Sequence, residues 1–153
     1  MAERRSARGD TRDGCAALCA MAASLAAQGP GGRRYLVEFG RRGAGIPAGP
    51  LWFVAAATGG RNPLRGRGFA ASLDDGSTGQ ARHFAGIVAS VARLGPRATR
   101  WLSVHVRRDA LDSADGRLTE CAIEFATIIR SGELDPADAP DWLRAHLCAA
   151  PAE

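Results

Sequence analysis

The sequence predicts a mainly α protein: a compact helical domain with a three- to four-helix C-terminal core and an irregular, Gly/Arg-rich N-terminal half. Three observations predict it. Apolar residues make up 46% of the 153 residues and aromatics only 6%, so the core has to be assembled chiefly from Ala, Leu, Val and Ile. Alanine loses no side-chain entropy in a helix and so favours that state. Most of the 19 glycines fall between Gly29 and Gly79, whereas from Gly79 onward apolar residues recur at helical spacing between short breakers.

Residues 1–12 are charged or small, with little to bury, and read as a flexible arm before a single helical domain over 13–150. Asp13 can cap a helix to about Gln28 that carries Leu18, Met21 and Leu25 on one face, ended by Gly29-Pro30-Gly31-Gly32. Tyr35, Leu36, Val37 and Phe39 suggest a short helix, followed by loop from Gly40 to Pro50. Leu51-Trp52-Phe53-Val54 is the most hydrophobic patch in the chain and is expected to be buried. Thr58 to Gly68 reads as a Gly-Arg loop.

The second half is more regular. Phe84, Ile87, Val88, Val91 and Leu94 follow the spacing of one buried helix face over about 79–94, and Gly95-Pro96 stops that helix. A second helix is expected over 97–111 with Trp101, Leu102, Val104 and Leu111 inward. After a turn at Asp112 to Gly116, a third runs from Arg117 to Ser131 on the stripe Leu118, Cys121, Ala122, Phe125, Ile128 and Ile129, with Gly132 at its C′ position. Asp135-Pro136 opens a last helix in which Trp142, Leu143 and Leu147 seal the core. Short connections make consecutive helices antiparallel neighbours.

The formal charge of +4 raises the question of a nucleic-acid partner. Every one of the 20 basic residues is Arg, however, as the codon bias of a GC-rich bacterial genome would impose. There is no phosphate loop of the GxxxxGK[ST] kind, and one GRGF is not an RNA-binding module, so nucleic acid is not favoured. No run approaches the roughly 18 apolar residues that span a bilayer, which argues against a membrane partner. Arg4 and Arg5 before the apolar stretch from Cys15 to Ala27 resemble a secretory leader, but Asp10 and Asp13 interrupt it. A first helix and a cytoplasmic protein are the preferred reading, with secretion the alternative if residues 1–27 act as a signal.

The four cysteines, Cys15, Cys19, Cys121 and Cys148, lack paired CxxC spacing, and free buried thiols are expected rather than a disulfide framework. No metal set is assigned and no cofactor is indicated. The best catalytic constellation is His83, His105 and Asp109: His105 and Asp109 are four apart on one expected helix, and Glu120 and Glu124 repeat that spacing on the next. The stretch Asp74 to Phe84 gathers polar groups at a helix start, making Arg82, Asp75 and Gln80 candidate ligand contacts. Capping of the first turn accounts for most of the same residues. The sequence holds neither HExxH, nor ExxH, nor GxSxG. A non-catalytic binding or interaction domain, with a protein partner or self-association, is therefore the primary expectation. A small hydrolase or effector with a His/Asp/Glu site, with or without a metal, around His83 and His105 is the alternative.

Overall fold

The computed structural model describes residues 12–105 and 110–151. It is mainly helical. The described helices are α1 (Gly14–Ala27), α2 (Gly32–Ala44), α3 (Trp52–Ala57), α4 (Gln80–His105), α5 (Ala114–Ser131) and α6 (Ala139–Leu147), with single 3-10 turns at Ala71–Leu73 and Pro136–Asp138. The proposed arm lies outside the described residues except for Arg12.

Local capping chemistry marks the ends of α1 and α5. The Asp13 carboxylate accepts from the Ala16 N–H at 2.8 Å, satisfying one orphan donor of α1. Leu18 and Leu25 are fully buried on the core face of α1, with Met21 beside them. Ser113 caps α5 by accepting from the Gly116 N–H at 3.0 Å. Gly132 closes α5 in the left-handed region at φ 83°.

The expected loop after Phe39 is helix instead: α2 continues through Gly40 and Gly43 to Ala44. Those glycines permit a close helix crossing. A Cβ at Gly40 would stand 2.4 Å from that of Ala89, and one at Gly43 would stand 2.5 Å from that of Ala85. Tight α2–α4 contact brings Tyr35, Phe39, Phe84, Phe125 and Trp142 into one chain of aromatic neighbours, with Phe39 within 5.4–6.1 Å of Tyr35, Phe84 and Phe125. The core therefore draws on both halves of the chain, and the irregular part is confined to about residues 45–79.

Gly95 breaks α4, as its sequence suggested, with φ 82° and ψ 170°. The two arms run in opposite senses along α5. His83 meets Thr119, and further on Arg130 donates to the Val91 carbonyl. In the second arm, Pro96 lies near Ile128 while Ser103 and Val104 lie near Gly116 and Thr119. This reversal corrects the burial expected there. Thr99 and Ser103 are the buried residues of the second arm, whereas Trp101 and Val104 on it are exposed, as are Leu94 before the break and Leu111 in the turn ahead of α5. Arg100, paired with Glu120 through two 3.0 Å contacts, holds the arm in this rotation.

Residues 66–70 stitch the start of α1 to the end of α6. Gly14 N–H donates to the Arg67 carbonyl at 2.8 Å, Ala70 N–H to Leu147 and Ala149 N–H to Gly68, both also at 2.8 Å. At Gly68, with φ 95°, a Cβ would collide with the Asp13 carboxylate. The GRGF run thus has a structural role, and Arg67 is engaged with Asp74 at 2.5 Å.

Beside this stitch Cys15 is joined to Cys148 by a disulfide across a sequence separation of 133. The expectation of free thiols is corrected for this pair. Burying Cys15 on α1 and returning the chain end to the same seam brings together two residues whose sequence spacing carried no such signal.

Tyr35 is the sole tyrosine. It is fully buried, and its hydroxyl donates to the Ala22 carbonyl at 3.1 Å. Burial lifts the phenol above its ordinary range. A group whose folded pKa exceeds its unfolded value contributes stability that is complete below the unfolded pKa, about 10 for tyrosine, and is lost as pH rises toward the folded one. Stability should therefore fall above about pH 10, with tyrosinate absorbance appearing together with loss of helical circular dichroism. Tyrosinate forming in a still-folded chain would contradict this burial.

Candidate functional site

The polar residues singled out from the sequence separate into two places. His83, half-buried near the start of α4, has Nε2 2.8 Å from the Thr119 hydroxyl of α5. One turn before Thr119 on α5 is Asp115, whose carboxyl lies beside Asp75. Burial opposes the charge on Asp75, but the Ser77 hydroxyl and N–H and the Asp115 carboxyl together hold it below the usual carboxylate range. The result is a small polar junction where the 74–79 turns, α4 and α5 meet.

The other candidates are disposed differently. Asp75 accepts from the Ser77 N–H at 2.8 Å, and the Ser77 hydroxyl accepts from the Gly79 N–H at 3.3 Å, so this stretch forms successive turns leading into α4. Gln80 is buried and its amide donates to the Leu73 carbonyl at 2.5 Å, fixing the preceding 3-10 turn. Arg82 is half-buried close to Gly79. His105 is exposed at the far end of α4; its Nδ1 is 3.0 Å from the Trp101 carbonyl and its ring stacks on Trp101 at 4.8 Å. Asp109 lies outside the described residues.

A cleft of about 450 Å³ runs between the second arm of α4 and α5, lined by Pro96, Arg100, Glu120, Cys121, Glu124 and Thr127 among others. Cys121 is half-buried at its edge rather than central in the apolar stripe. Burial first, then the charges of Glu124 and Glu120, raise its thiol above the ordinary range, which makes it a poor nucleophile. Thr119 and Ser103 line a separate void of about 10 Å³, the size of a single water and too small for a substrate.

Thr119 offers a direct test of the junction. Thr119→Val should cost about 1–2 kcal/mol in chemical denaturation, because a half-buried imidazole nitrogen loses its partner. His105→Ala should change stability by less than about 0.5 kcal/mol. Equal effects would contradict the placement of the two histidines.

The most distinctive surface feature lies elsewhere. The large exposed apolar side chains among the described residues fall in two stretches, Leu51–Val54 and Leu94–Leu111. Leu51, Phe53 and Val54 are 66%, 57% and 46% exposed, and α3, apolar along its whole length, has no buried residue. The expectation that this patch would be buried is corrected. Trp52, Ala55 and Ala56 pack half-buried against the core, Trp52 beneath the Arg93 guanidinium at 5.0 Å, and Arg93 also donates to the Pro47 and Ala48 carbonyls. Arg93 thereby anchors one side of α3 and leaves the other facing solvent. The sequence showed the hydrophobicity of this segment but not the absence of a neighbour to cover it.

No protein-family model matches the chain, and no significant match was found among curated proteins or solved structures.

Proposed function

We propose that this chain is a docking domain that binds protein, in the first instance a second copy of itself, through the apolar face of α3. The observation that carries the reading is the outward face of Leu51, Phe53 and Val54 on a helix whose inner side, Trp52, Ala55 and Ala56, is only half-buried. Singly scattered apolar residues are normal on a surface, but a contiguous group of large ones is what binding faces present. Aromatic anchors such as Phe53 contribute most when a partner excludes water from them. Several arginines are engaged internally, with Arg41 on Glu38, Arg67 on Asp74, Arg100 on Glu120 and Arg144 on Asp141, which leaves less support for a nucleic-acid partner. Among the described residues no helix is long and apolar enough to cross a membrane. A cytoplasmic setting is the less favoured part of this proposal, since disulfides such as Cys15–Cys148 persist mainly in oxidising compartments.

Sedimentation velocity over a wide concentration series tests the reading. The wild type should shift from monomer toward dimer, and Phe53→Glu should remain monomeric with an unchanged circular dichroism spectrum. A wild type that stays monomeric throughout, or a Phe53→Glu variant that associates equally well, contradicts it.

One observation favours a second reading, a small acid–base hydrolase: the junction of His83, Thr119, Asp75 and Asp115. His105 is held on Trp101 and does not share this junction. His83→Asn separates the readings, because an enzyme loses turnover while a docking domain keeps its association.

A further inference from the structure

The sulfur atoms of Cys15, Cys19 and Cys148 all lie within 4.8 Å of one another. Cys15 and Cys19 are one helical turn apart on α1, so both face the same seam, and Cys148 arrives there immediately after α6. Cys15 and Cys19 are buried and Cys148 is half-buried. In the oxidised state two of the sulfurs form the disulfide, and the Cys19 thiol stands 3.8 Å from the Cys148 sulfur. That separation is the spacing of two thiolates sharing one ion: bonds of about 2.3 Å at tetrahedral or trigonal angles place the sulfurs about 3.8–4.0 Å apart.

We propose that, once the disulfide is reduced, these three cysteines form a redox-gated binding site for a soft, thiophilic metal ion of the Cu(I) class. Three sulfurs in a largely buried seam, with no carboxylate or imidazole in the same group among the described residues, suit a soft ion satisfied by three thiolates. Zinc, which asks for a fourth ligand, is a poorer fit. The chemistry balances without any unnamed reactant. A dithiol reductant breaks the Cys15–Cys148 bond and closes to its own disulfide, supplying two electrons and two protons that make both cysteines thiols. The metal then displaces the three thiol protons into solvent. Oxidation closes the site again by consuming two of its three ligands.

The test uses the full chain, reduced with a phosphine and stripped of metal under anaerobic conditions. Cu(I) is then supplied as its acetonitrile complex in competition with a chromogenic chelator. Reduced wild type should hold one Cu(I) per chain, and the oxidised protein none. Cys19→Ala, which leaves the disulfide partners in place, should keep its circular dichroism spectrum and bind Cu(I) at least about tenfold more weakly. Cys121→Ala should bind as wild type does. The proposal is overturned if the reduced chain retains no Cu(I), if it has lost its helical spectrum, if Cys19→Ala binds as wild type does, or if Cys121→Ala abolishes binding.

Discussion

Phe39→Ala is expected to destabilise the fold by about 3–5 kcal/mol, the upper range for truncating a core side chain. Phe39 is fully buried on α2 and is the ring that touches Tyr35, Phe84 and Phe125 at once. Its loss removes the contact on which α2, α4 and α5 converge. The neighbouring crossing cannot collapse to refill the space, because Gly40 and Gly43 already hold α2 against Ala85 and Ala89 as closely as backbones allow. Urea denaturation followed by circular dichroism measures the cost. A loss below about 1 kcal/mol would mean that the site relaxes freely and that the aromatic group is not the centre of the core.

The second large effect belongs to the staple. Cys148→Ala should cost about 3–5 kcal/mol, since the cross-link closes most of the chain into one loop and constrains the unfolded ensemble strongly. For a chain of this size the melting temperature should fall by about 10 °C. Reductant should lower the wild-type melting temperature to the same point and leave the variant where it was. A reductant-insensitive wild type would show that the disulfide contributes nothing. Domains of this kind are stable by about 5–15 kcal/mol in total, so the reduced chain should remain folded, as the proposed metal site requires.

Much of the architecture was legible in the sequence because it follows from local rules. Leu18, Met21 and Leu25 mark α1, Gly95-Pro96 marks the break in α4, and Gly132 marks the end of α5, each through periodicity or backbone chemistry contained within a few residues. What was not legible depends on partners distant in sequence. Gly40 and Gly43 read as part of a loop because their crossing partners, Ala89 and Ala85, lie far along the chain. Trp101 and Val104 read as inward-facing because the reversal at Gly95, which turns Thr99 and Ser103 toward α5 instead, is a tertiary event. The Cys15–Cys148 pairing is likewise set only when α6 packs on α1.

The candidate site follows the same division. His83 was singled out near a helix start, and the structure sets it against Thr119, which lies 36 residues away and gave no signal of its own. His105 looked equally promising by spacing, and the structure stacks it on Trp101 at the surface. The α3 patch was recognised as the most hydrophobic segment, and burial was expected because burial is the usual fate of such segments. Its exposure is the feature from which the functional proposal starts.

Hydrogen exchange of the backbone amides of α3 is the most direct measurement of that proposal. It compares the wild-type chain at low concentration with the same chain at a concentration where association is complete. The docking account predicts that amides from Trp52 to Thr58 gain protection on association and that Phe53→Glu abolishes the gain. Association that leaves α3 exchanging at its monomer rate, with protection appearing on another face instead, would contradict it.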